Sequence, residues 1–119
     1  MPWDRSPFYD RDGQPISALQ WEALRACHDY YRVALTERPH WVVSTVWIGI
    51  DMGFRPDGPP IIFETMVFGG PLDCEQWRYA TEVEAHAAHE VVVAAQEAEI
   101  RRRRLAAMRK RKRTGRRSG

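Results

Sequence analysis

With 119 residues, 44% of them hydrophobic and 29% charged, the chain has material for one small core and none to spare for a second. Its formal net charge of +2 conceals a division: residues 1–99 carry 16 acids against seven Arg, whereas residues 100–119 carry eleven Lys and Arg and no acid. Like charges at that density stay out of a core, and no run approaches the roughly 18 to 20 apolar residues of a bilayer span, so the expectation is a single domain over 1–99, a basic tail over 100–119 and no membrane partner.

In chain order, Phe8–Ile16 reads as a short hairpin about Asp12-Gly13, where glycine supplies the positive φ of a tight turn. Ser17 and Gln20 have capping-box spacing, and Leu19, Trp21, Leu24 and Cys27/His28 recur at helical spacing, which predicts a helix over about 18–28. A strand near 31–36 follows and ends before Arg38-Pro39. Trp41–Ile50 is the clearest strand, β-branched and aromatic throughout, and Ile61–Phe68 is its antiparallel neighbour, stopped by Gly69-Gly70-Pro71.

Trp77-Arg78-Tyr79 adds a short strand before Thr81 and Glu84, a second capping box. From there Ala, Glu, Gln, Arg and Leu dominate, and neither Gly nor Pro intervenes before Gly115. The pattern predicts a helix over about 82–110, with Ala85, Ala88/His89, Val92 and Ala95 on the sheet and with Glu97–Arg101 and Glu99–Arg103 paired at i,i+4. At a rise of 1.5 Å per residue such a helix is about 40 Å long, more than the domain can cover, so its basic end should project or fray. The fold class is α+β: a three- to four-stranded antiparallel sheet, a short N-terminal helix and a long C-terminal helix ending in the basic tail.

A period of two puts Val42, Val46 and Ile48 on one face of the sheet with Ile61, Phe63 and Val67. The other face then holds Trp41, Thr45 and Trp47 with Glu64, Met66 and Phe68. Both sets are largely apolar. Helices take one face, and the second is either covered by Trp3, Phe8 and Tyr9 or left as an aromatic platform. That platform (Trp41, Trp47, Glu64, Met66, Phe68) is the candidate surface for a protein partner.

The runs Val43-Ser44-Thr45-Val46-Trp47-Ile48-Gly49-Ile50-Asp51, Gly58-Pro59-Pro60-Ile61-Ile62-Phe63-Glu64-Thr65-Met66-Val67-Phe68-Gly69-Gly70 and Arg78-Tyr79-Ala80-Thr81-Glu82 resemble a family of small proteins from tailed phages of actinobacteria and related prophages. Tyr9-Asp10-Arg11-Asp12-Gly13-Gln14-Pro15-Ile16 fits the same pattern, so the resemblance covers roughly residues 8–95. It implies a phage origin and the cytoplasm of an infected bacterium, and it implies no activity. Family members often carry His after the Asp that ends the first long strand. This chain has Met52 there, which argues against metal or acid–base chemistry by an Asp-His pair. The basic tail lies outside the resemblance.

Chemistry is hard to place elsewhere. His86 and His89 are three apart, not at the i,i+4 spacing of a zinc-binding helix, and read as one packed and one solvated histidine. Asp51, Asp57 and Asp73 lack calcium-loop spacing. Cys27 and Cys74 have no paired ligands and read as reduced thiols of a cytosolic protein, a single disulfide being the alternative. No Ser-His-Asp or Cys-His set can be drawn, and Gly69-Gly70-Pro71 lacks the Lys and the following helix of a phosphate loop. Glu64, in mid-strand, is either exposed on a half-covered face or paired with Arg32 or Arg78, with catalysis a distant third. The expectation is no enzyme, no cofactor and no metal.

The tail points to a polyanion. Arg101, Arg102, Arg103 and Arg104, then Arg109, Lys110, Arg111, Lys112 and Arg113, then Arg116 and Arg117 can neutralise several phosphates in a steeply salt-dependent way. Leu105, Ala106, Ala107 and Met108 interrupt the charges, and the absence of aromatics argues against base stacking. The reading is a phage accessory protein that binds RNA or DNA through its tail, with RNA or ribonucleoprotein favoured. The alternatives are a host-protein-binding or inhibitory module using the platform, a virion component, a tail that solubilises or masks the acidic body, and a tail that acts as an arm for an acidic protein partner. The order α-β-β-β-α coincides with that of double-stranded-RNA-binding domains, though the basic run that opens their last helix is missing. Oligomeric state is not legible, although Leu105 and Met108 would permit a helix-mediated dimer.

Overall fold

The fold is taken from a computed structural model, which describes residues 6–53 and 55–117, with side chains through Gly115. Trp3, expected over the sheet, lies outside the described residues. A two-stranded ribbon, β1 (Phe8–Tyr9) and β2 (Pro15–Ile16), precedes α1 (Ala18–Arg25) and a single turn of helix, α2 (His28–Tyr31). Then come β3 (Arg32–Arg38), β4 (Trp41–Trp47), β5 (Phe63–Phe68), β6 (Gln76–Tyr79) and α3 (Glu82–Arg117). The four strands form one antiparallel sheet in chain order, so the α+β class stands. Ser17 caps α1 in a full capping box, but the first helix stops at Arg25 because the chain turns extended at Cys27 before α2 begins.

The expected division of faces is wrong in one respect. Val46 lies opposite Glu64 and Trp47 opposite Phe63, and residues directly opposite share a face. Trp41, Val43, Thr45 and Trp47 therefore stand with Phe63, Thr65 and Val67 on the covered side. Val42, Ser44 and Val46 stand with Glu64, Met66 and Phe68 on the other. A ten-residue connection does not pin register, and a shift of one residue exchanges every side chain between faces.

Helix α3 and the N-terminal elements share the covered face rather than taking one each. Near the open end of the hairpin β4–β5, Trp41, Val43 and Val67 pack with Val92 and Val93 of α3. Toward the other end, Trp47, Ile62, Phe63 and Ala85 meet Tyr9, Trp21, Tyr30 and Tyr31. The Trp47 indole donates to the Tyr9 carbonyl at 3.0 Å and the Trp21 indole to the Ile48 carbonyl at 3.0 Å, which ties the N-terminal segment to the end of β4. Arg11 adds an ion pair to Glu82 at the start of α3 and holds that carboxyl below its usual value.

Between the two apolar clusters lies a polar layer. His89, 1% exposed, has Thr36 Oγ1 2.9 Å from Nε2 and Thr45 Oγ1 2.7 Å from Nδ1, and Thr45 in turn meets Thr65 at 2.6 Å. The packed-and-solvated reading of the two histidines holds, with His86 exposed and facing Glu82.

Candidate nucleic-acid interface

Helix α3 is 36 residues long, about 54 Å, and runs past the expected end near 110. Its first half is held by burial: Ala85, His89, Val92, Val93 and Gln96 face the sheet at i, i+3/i+4 spacing. Gln96, not Ala95, takes the fourth inward turn. Beyond Ile100 every described side chain is exposed. The consequence is a molecule 76 Å in its longest dimension, with a radius of gyration of 19.9 Å where a compact chain of this length has about 13 to 14 Å.

Arg101, Arg102, Arg103 and Arg104 sit on consecutive positions and so point to all sides of the helix, as do Arg109, Lys110, Arg111, Lys112 and Arg113 a turn and more beyond. Arg116 and Arg117 close the helix, their side chains outside the described residues. By the same 3.6-residue repeat, Leu105 and Met108 share a sector with Arg101 and Lys112, so the arm has no separate apolar face.

Its only described ion pairs are at the root. Glu99 accepts from Arg102 Nε at 2.9 Å and from Arg103 Nε at 3.1 Å, and these guanidinium bonds hold its carboxyl down to about 2. Glu97 does not pair with Arg101 as expected; it lies 3.6 Å from Arg38. Among the described residues, Arg104 through Arg113 make no ion pair.

A cleft of about 620 Å³ opens at that root. Arg38, Pro39, His40 and Trp41 of the β3–β4 turn form one side, and Glu97, Ile100, Arg101 and Arg104 of α3 the other. Pro39 at the first corner of the two-residue turn presets its φ, and Arg38 lies over the Trp41 ring, 5.7 Å from the centroid. Gly70 also lines the cleft, and Gly69 precedes it in the same turn. Both have positive φ, and a Cβ on Gly70 would sit 2.1 Å from Gln96 Nε2. Gln96 donates to the Gly69 carbonyl at 2.8 Å and accepts from the Leu72 N–H at 3.0 Å, which fixes the turn to the helix. The sequence pattern assigned Arg38 and His40 no role and placed Glu97 with Arg101 instead of Arg38. The signal available was two basic residues flanking Pro39, and without the hairpin register it could not be placed beside residue 101.

The candidate protein-partner surface is divided by the same register. Trp41 and Trp47 are 8% and 0% exposed and belong to the core, where they carry α3 and the N-terminal segment. Glu64, Met66 and Phe68 are on the opposite face, with Leu35, Val42 and Val46, and no described helix crosses it. Glu64 is paired, with Arg78 Nε at 3.1 Å on β6. Phe68 is 49% exposed.

Among the described residues no three His, Cys, Asp or Glu side chains gather as a metal site, and Cys27 and Cys74 are free and exposed. No described helix is long and apolar enough to cross a membrane. Compared with protein-family models, with curated proteins and with solved structures, the chain matches none.

Proposed function

We propose that this is a small phage accessory protein of the infected bacterial cytoplasm that binds nucleic acid through the basic end of α3, without sequence preference and with RNA or ribonucleoprotein as its foremost partner. One observation carries the reading: nine cations with described side chains surround a helical arm about 25 Å long that reaches away from the chain's own acids. Phosphate neutralisation by such an arm supplies affinity and reads no bases. A helix that points outward also speaks against self-masking, because its cations are carried away from the acidic body.

The test is a salt titration of RNA and DNA binding by the full chain and by a chain ending at Ile100. The full chain should bind with a slope of several in log K against log salt, at about 0.9 per duplex phosphate contacted and about 0.7 per single-strand phosphate, and the shortened chain should lose at least about a thousandfold in affinity. Equal binding by the two chains, or none by either, rejects the reading.

A second reading rests on the open sheet face. Val42, Val46 and Met66 beside exposed Phe68 make an apolar surface that suits a host protein. Under that reading, capture of a host protein from nuclease-treated lysate survives removal of the arm and is lost in Met66→Asp.

A further inference from the structure

Two stretches of chain some sixty residues apart bring guanidinium groups to the cleft where α3 leaves the sheet: Arg38, next to the imidazole of His40, from the β3–β4 turn, and Arg101 and Arg104 from the helix. A single carboxylate, Glu97, faces them. Its 3.6 Å approach to Arg38 joins two side chains that are 49% and 43% exposed, so it is a weak competitor for an incoming anion. Pro39, Ile100 and the small part of Trp41 left exposed beneath Arg38 give the cleft an apolar floor under its cationic mouth. The walls are fixed beforehand by the buried Gln96 and the glycine turn it grips.

We infer that this cleft seats one sugar-phosphate unit of a nucleic-acid strand whose neighbouring phosphates run along the arm. The inference rests on the proposed role of the arm and adds the body to it. Three guanidinium groups against one carboxylate leave a surplus for a phosphodiester, and guanidinium forks bind its oxygens in pairs. The apolar floor accepts the sugar. A small free anion would satisfy the mouth but ignore the cations that continue outward from Arg104; a strand uses both. Because the arm alone binds anywhere along a polyanion, the seat is what sets where the strand meets the folded body.

The test uses the full chain, its Arg38→Ala and Glu97→Gln variants, and a labelled single-stranded RNA with its duplex, followed by fluorescence anisotropy across a salt series. Arg38→Ala should weaken binding about five- to tenfold near 0.1 M salt and flatten the salt slope by about 0.7 to 0.9, the signature of one lost phosphate contact. Glu97→Gln should tighten binding about threefold, since it removes the one like charge facing the phosphate. Both side chains are substantially exposed, so neither change threatens the fold. If the parent binds with steep salt dependence and both variants match it in affinity and slope, the seat is unused and the arm acts alone. If the parent does not bind, the reading of the arm falls and the seat with it.

Discussion

From Glu82 to Ile100, α3 lays Ala85, His89, Val92, Val93 and Gln96 across four strands; from Arg101 to Arg113 it touches solvent on every side. The two halves are one continuous helix held by different forces. Burial sustains the first, whatever the propensities of Val92 and Val93, which are mediocre in helices. The second buries none of its described side chains. It inherits a nucleated turn from the first, gains from good helix formers and from cations at a helix C-terminus, and loses through like charges at i,i+3 and i,i+4 such as Arg101–Arg104 and Arg109–Arg113. A polyanion removes only that last, unfavourable contribution. The arm is thus the part of the molecule whose stability a partner can change, while the body is set without one.

That comparison is broken most forcefully by striking each half separately. Trp47→Ala removes the largest wholly buried side chain and should cost about 3 to 5 kcal/mol, read as a lowered urea midpoint by near-ultraviolet dichroism. Leu105→Pro should interrupt the arm at about 3 kcal/mol of local helix stability and reduce far-ultraviolet ellipticity, while leaving the body's urea midpoint in place. A proline that lowered both signals together would mean that the halves unfold as one unit.

A finer cut lies at the boundary between them. Gln96 is the last wholly buried residue of α3, and its amide serves the Gly69 carbonyl and the Leu72 N–H. Gln96→Ala leaves both backbone groups without that partner and should cost about 1 to 3 kcal/mol, whereas Ala95→Ser on the exposed side should stay within about 0.5 kcal/mol. Equal urea midpoints for the two variants would show that the turn is held by something other than the amide.

The sequence made element types legible and left their mutual placement obscure. Capping residues such as Ser17, the β-branched run 41–47 and the Gly/Pro punctuation at 69–71 act locally, and each element they predict is present. Face assignment failed because β4 is apolar at both parities: Val42 and Val46 alternate with Trp41, Val43 and Trp47, so pattern alone does not choose the buried set. The inward place of Gln96 was hidden for a related reason. Polar residues read as outward unless the backbone groups they satisfy are known, and those belong to a turn twenty-four or more residues earlier. The cationic arm was evident from composition, since charge density needs no register. The cleft needed the β3–β4 hairpin and α3 side by side.

The smallest expected effect probes the body alone. His89 is buried with both ring nitrogens occupied by threonine hydroxyls, and the strand groups nearest it, Thr36, Thr45 and Thr65, carry no charge. Burial pushes its pKa below the ordinary 6.5, Glu90 opposes the shift and His86 adds to it. Just below pH 6.5 the unfolded chain therefore binds a proton that the folded chain refuses. Stability from this group is complete above about pH 6.5 and declines as pH falls, until the folded state takes the proton as well. Glu82 and Glu99, both held below 4.5, cannot produce this decline, because their contributions are lost only in more acid solution. Urea midpoints should thus fall between about pH 7.5 and 5.5 in the parent chain and change less in His89→Gln, which cannot titrate. Leu105→Pro, which alters only the arm, should show the parent's pH dependence unchanged. A parent whose midpoint is flat over that window would mean that the buried layer accommodates the imidazolium, the Thr36 and Thr45 hydroxyls each turning to accept a ring N–H while Thr45 donates to Thr65.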